Sequence, residues 1–374
     1  DLGDLHLLGD LADAATEAST SVAAYVEFLE TDLQPRTKGS FRLGRERFEQ
    51  KFSLDEGLTL GADRLLAIAT RELQKTQDEF RRVASRVNGG DPLAAWQKTK
   101  ADHPPAGKLV AVAEEQLAEL ADFIRRENIV SLPEGAPVTV RPTPRFYRWT
   151  SASMWTPGPF ESRPGRAFYY ITDVDPAWAP ERQDEHLRDF NYGALWSISI
   201  HEVFPGHFLH YQHLRQVTST LRKSILFSSS AFVEGWAHYC EQMMIDQGFR
   251  KNDTGVRLGQ LAESLIRLCR CIVGIRLHCE DMSVEQAVRF FREEAFLEEP
   301  SARREAERGT FDPSYILYST GKLMLLKLRE DYKAHVGAKY SLRGFHDTLL
   351  GNGTVPIWLH RALMLGPQNG EGLE

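Results

Sequence analysis

The chain has 374 residues, of which 42% are apolar and 26% charged, the balance expected of a soluble globular protein with a sizeable core. Its net charge of −7 excludes a protein built to neutralise nucleic-acid phosphates, which needs a surplus of Lys and Arg. No run approaches the roughly 18 apolar residues of a membrane-spanning helix, and nothing near Asp1 resembles a signal peptide. A first residue other than methionine leaves a longer, exported precursor open.

In chain order, the sequence predicts one unit in three parts. Residues 1–130 read as helical. Segment 5–30 is of this character, and from Leu66 the apolar positions Ala69, Leu73, Phe80, Val83 and Val87 recur at helical spacing until the breaker "NGGDP". Segment 109–126 is similar, and the basic stretch "RTKGSFRLGRER" is read as a solvated surface. In residues 131–185 the texture changes. The stretches "LPEGAPVTVRPTPRFYRW" and "PGRAFYYITDVDP" are rich in Pro, Gly, aromatic and β-branched residues, which predicts a small sheet. Helical patterning resumes in residues 186–374, with a further apolar stripe at 256–280.

Cys240, Cys269, Cys271 and Cys279 are too few and too clustered for a disulfide framework. Their spacing lacks the paired arms of a structural zinc site, so they are expected to be buried thiols in a reducing compartment, the cytoplasm.

The chemistry concentrates in "SISIHEVFPGHFLHYQH", residues 197–213. His201 and Glu202 begin as an H-E-x-x-H zinc motif would, but the position four after His201 is Pro205 and the next histidine is His207. On an unbroken helix, residues six apart point about 120° away from each other. Pro205 has no N–H to give the carbonyl of His201, and Gly206 permits unusual backbone angles, so a wide, bulged turn is expected to bring both imidazoles to one side. A catalytic zinc needs a third protein ligand. Glu234, in "AFVEGWAHYCEQM", is one candidate and His238, four residues on, is its competitor; Glu241 could hold a ligand imidazole from behind.

These residues resemble the bacterial domain-of-unknown-function family 885, whose members show H-E-x-x-P-G-H followed by E-G-W-A-x-Y-x-E. The first motif is matched by His201, Glu202, Pro205, Gly206 and His207, and the second by Glu234, Gly235, Trp236, Ala237, Tyr239 and Glu241. The likeness runs from about residue 20 to 365. It implies a mainly α-helical, zincin-like fold with a small β-sheet beside the motif helix, and one zinc ion held by His201, His207 and Glu234. It also implies a peptidase acting on peptides or small amides, with Glu202 as general base. Weaker correspondences add Arg270 and His278, then Pro313, Tyr318 and Gly321, of which Tyr318 and His278 become candidates for stabilising the oxyanion. The chain departs from the family pattern at His210, Gly274, Arg276 and Tyr315. Two other readings stand beside the peptidase: a non-catalytic binding protein on the same scaffold, and a metal hydrolase acting on a non-peptide bond.

Overall fold

The structure is a computed structural model that describes residues 4–88, 91–135, 137–162, 165–367 and 373. Gly89 and Gly90 of the expected breaker lie outside the described residues. The chain divides into two compact units, Asp1–Phe41 and Arg42–Glu374, a division that the sequence reading does not draw.

The first unit is helical: α1 (Leu5–Phe28), a π-helical turn (Leu29–Leu33) and α2 (Gln34–Arg36). Asp4 caps α1 by accepting the His6 N–H at 2.9 Å.

The second unit carries the remaining helices and the sheet. It begins with α3 (Arg45–Glu56), α4 (Ala62–Asn88), α5 (Pro92–Ala101) and α6 (Leu109–Arg126). In α4 the predicted stripe is the buried one, with Ala69, Leu73, Phe80 and Val83 in the core. The strands β1 (Val138–Pro142), β2 (Ala152–Trp155) and β3 (Ala167–Ile171) form a three-stranded sheet in the order β1-β3-β2. β1 runs parallel to β3, Val138 opposite Ala167, and β2 runs antiparallel to it, Ala152 opposite Ile171. Alternation puts Ala167, Tyr169 and Ile171 on the buried face.

Then follow α7 (Pro180–Asp189), α8 (Tyr192–Glu202), α9 (His207–Gln216), α10 (Thr220–Lys223), α11 (Ser230–Asp246) and α12 (Thr254–Cys279). The chain ends with α13 (Val284–Glu294), α14 (Glu299–Phe311), α15 (Leu317–Val336), α16 (Leu342–Gly351) and α17 (Ile357–Leu365). The architecture is thus mainly α with a small sheet, as the sequence predicts. Side-chain caps start the helices that matter for the site. Asn191 accepts from Ala194 on α8, Ser229 from Phe232 on α11 and Asp253 from Val256 on α12.

α12 is the central element, buried along most of its length and packed against α4, α8, α14 and α15. α11 and α15 cross closely because glycines face each other there. A Cβ on Gly235 would come within 2.7 Å of the Gly321 Cα, and one on Gly321 within 1.9 Å of the Ala231 carbonyl oxygen. The sheet lies against α6 and α8, and the Tyr169 hydroxyl on β3 is 3.3 Å from Ser199 Oγ on α8. Among the described residues no helix is long and apolar enough to cross a membrane.

A candidate metal centre

α8 does not run through the motif. It ends at Glu202, the Phe204–Pro205 peptide is cis, and α9 begins at His207. The expected bulge in one helix is therefore a break between two, because Pro205 has no N–H to continue the helical ladder. The turn is wide: the Phe204 N–H reaches back to Ser199 O at 3.3 Å and the Gly206 N–H to Ile200 O at 3.0 Å.

Gly206 is required here for a reason the sequence reading did not supply. Its backbone sits at φ −69° and ψ −132°, and a Cβ there would lie 1.8 Å from the His201 carbonyl oxygen. Trp236 secures the same turn, its indole N–H donating to the Pro205 carbonyl at 2.9 Å.

The break brings the two imidazoles together, their ring centroids 4.8 Å apart and their planes nearly perpendicular. Glu234 arrives from α11. Its Oε2 is 3.4 Å from Nε2 of His201 and 3.4 Å from Nε2 of His207. These three residues form the one group among the described residues whose ligand atoms lie close enough to share an ion, all within 4.8 Å. The donor set fits zinc. In a tetrahedron with bonds of about 2.0–2.1 Å, neighbouring ligand atoms are about 3.3–3.4 Å apart. Glu234 Oε2 has no hydrogen-bond partner and is buried, which leaves it aimed at the shared position.

Around the ligands the charge is arranged for a cation. Glu241, fully buried on α11, accepts from His201 Nδ1 at 2.7 Å and from His238 Nδ1 at 3.1 Å, and Arg267 Nη2 lies 3.2 Å away. Burial opposes ionisation of Glu241, but Arg267 and the two histidines hold its carboxyl well below the usual range. Burial likewise opposes charge on His201, yet the carboxylates of Glu234 and Glu241 beside it raise it to about 9. Two carboxylates flanking one imidazole thus favour a positive charge in the site.

Glu202 is 9% exposed and has no hydrogen-bond or ion-pair partner among the described residues. Burial raises its carboxyl above the usual value, against the pull of His207 and His201. Tyr318, on α15, stacks on the His201 ring at 6.2 Å between centroids. Burial and the nearby Glu234 raise its hydroxyl, which keeps it protonated and able to donate.

The remaining histidines stand elsewhere. His278 is not brought to the cluster. Its Nε2 donates to the Gly309 carbonyl at 2.8 Å and its Nδ1 faces the Leu43 N–H at 3.4 Å, so both nitrogens serve the backbone. It also lies eight residues beyond Arg270, about 12 Å further along α12. His238 is taken by Glu241, His213 bonds Ser131 O at 2.9 Å, and His210 packs edge-on against Phe232. The four cysteines are free thiols, three of them buried.

Sequence reasoning named Arg270 only through the family resemblance, without a role, and missed Arg267 and Arg308. Arg267, Arg270 and Arg308 all lie against the Tyr318 ring, 5.9, 5.2 and 5.8 Å from its centroid. The available signal was Arg267 and Arg270, about one turn apart within the apolar stretch of α12.

Comparison with known proteins agrees with this geometry at the level of family and fold. A protein from Shewanella oneidensis, described as "a putative lipoprotein of unknown function", superposes with a TM-score of 0.80 at 28% identity over 94% of this chain. Another, described as "the putative lipoprotein from Colwellia psychrerythraea", gives 0.71 at 22% identity over 87% of this chain, a likeness of fold alone. The chain spans 65% and 56% of the lengths of those two. No curated protein matches it. Residues 5–364 match the family "Bacterial protein of unknown function (DUF885)", and the chain belongs to that family.

Proposed function

We propose that the protein is a zincin-like, zinc-dependent peptidase acting on peptides or small amides. The observation that carries this reading is the convergence of His201 Nε2, His207 Nε2 and Glu234 Oε2 beside the unpartnered carboxylate of Glu202. A purely structural metal site would need no base next to its first ligand.

Zinc held by these three residues would act as a Lewis acid and make a water acidic enough to ionise near neutral pH. Glu202 takes a proton from the attacking water as its oxygen bonds to the scissile carbonyl carbon. The same carboxyl returns that proton to the amine nitrogen as the C–N bond breaks, so one water is consumed per bond. The Tyr318 hydroxyl donates to the carbonyl oxygen as charge develops on it. Glu241 fixes the orientation of the His201 ring from behind, with Arg267 and His238 holding Glu241 in turn. The Glu234 side chain is 27% exposed, which leaves the centre a route to solvent. The lipoprotein descriptions of two structural relatives favour an exported setting over the cytoplasm that the cysteines suggest.

The test joins metal analysis to turnover of a mixed peptide library. The purified chain should hold about one zinc, His201→Ala and His207→Ala should lose it, and Glu202→Gln should keep it while turnover falls by about 100-fold or more. Stoichiometric zinc in both histidine variants, or full activity in Glu202→Gln, would reject the reading.

A further inference from the structure

Arg270 on α12 and Arg308 on α14 bring two guanidiniums to the ring of one tyrosine, Tyr318, which itself stacks on the ligand His201. Each is clamped along one edge only. Arg270 donates from Nε and Nη2 to the two oxygens of Glu305 at 2.6 and 2.7 Å. Arg308 donates from Nε and Nη2 to Asp312 Oδ2 at 3.0 and 2.9 Å. Their Nη1 groups have no partner among the described residues, and of the two side chains Arg308 is 31% exposed and Arg270 12%. A guanidinium carries five N–H donors in a rigid fork, and here the fixed half is held by protein while the other half is left for an anion.

The position relative to the chemistry selects the anion. Arg308 Nη2 is 3.5 Å from the Tyr318 hydroxyl, the group aimed at the scissile carbonyl oxygen, and the Arg308 side chain is 31% exposed. A peptide's α-carboxylate one residue past the scissile bond lies about one Cα step, 3.8 Å, further on.

We propose that Arg308, supported by Arg270, binds the free α-carboxylate of a peptide ligand, so that the C-terminal residue is the one released. This rests on the peptidase reading of the adjoining centre. Hydrolysis then adds OH to the carbonyl carbon of the penultimate residue and H to the departing nitrogen, yielding a shortened peptide and a free amino acid.

The experiment compares one N-blocked dipeptide as its free acid and as its C-terminal amide, using the zinc-loaded full chain. The acid should be favoured roughly 10- to 100-fold in kcat/KM, mainly through KM, as expected of a charge-assisted fork. In Arg308→Gln that ratio should collapse toward one, and Arg308→Lys, which keeps the charge but not the fork, should retain part of it. Equal turnover of acid and amide by the parent overturns the carboxylate site and leaves the peptidase reading standing. Zinc-loaded Glu202→Gln supplies a readout free of turnover, calorimetric binding of the same pair. If the parent cleaves neither peptide, the peptidase reading fails. Tighter binding of the acid, lost in Arg308→Gln, then upholds the carboxylate site, and equal or undetectable binding rejects it.

Discussion

At the scale of single residues, the centre separates groups that touch the metal position from groups that aim them. Tyr318 tests that separation. Its ring fills space between His201 and three guanidiniums, while its hydroxyl is the part to which the proposed reading gives a catalytic role. Tyr318→Phe should lower kcat by roughly 10- to 1,000-fold with KM and melting temperature little changed. An unaltered kcat would make it a packing residue. His201 and His207 were legible in the sequence because their residue types stand at a telling spacing, whereas spacing left Glu234 and His238 both open and the family resemblance chose Glu234. The arginines were not legible, because Arg270 and Arg308 acquire meaning only from Glu305, Asp312 and Tyr318, whose approach depends on how α12, α14 and α15 pack. His278 shows the reverse case. The family resemblance made it a candidate for chemistry, and the structure gives both its ring nitrogens backbone partners.

Among the secondary-structure elements, the decisive one is the gap between α8 and α9. Sequence predicted that Pro205 and Gly206 interrupt the helix, but not that two helices would result. That outcome depends on tertiary partners, including the indole of Trp236, 31 residues away. Gly206→Ala makes the point measurable. Its new methyl would meet the His201 and Ile200 carbonyl oxygens at 1.8 and 2.5 Å, backbone atoms that cannot swing aside. The variant should lose about 3 kcal/mol or more of stability in denaturant unfolding and bind zinc at least tenfold more weakly. Parent-like behaviour in both would show that the turn is softer than its contacts imply. The long amphipathic helices were readable from periodicity and the sheet region from its Pro, Gly, aromatic and β-branched residues. The close crossing of α11 and α15 was not, since a glycine in each helix reveals nothing until the two face each other.

Over the whole molecule, the second unit buries histidines that the site does not use, and these make its stability depend on pH. Burial pushes His346 down to about 4 and His360 to about 3, from an ordinary value of 6.5. Below pH 6.5 the unfolded chain takes up these protons and the native chain does not, so stability falls with acidification until about pH 4. The slope is about 1.4 kcal/mol per pH unit for each group. His360 stacks on Phe232 with ring centroids 4.1 Å apart, so His360→Phe preserves an aromatic contact while deleting the titration. Urea unfolding between pH 6 and 4.5 should show a shallower loss in that variant; an identical slope would clear His360 of the effect. Another consequence concerns time. The three ligand residues occupy positions 201 to 234, whereas Tyr318 lies about eighty residues later. At about 5–20 residues per second, the three candidate ligands leave the ribosome several seconds before the Tyr318 hydroxyl has been made. On the proposed reading, synthesis therefore completes the candidate ligands and the base Glu202 before it makes Tyr318.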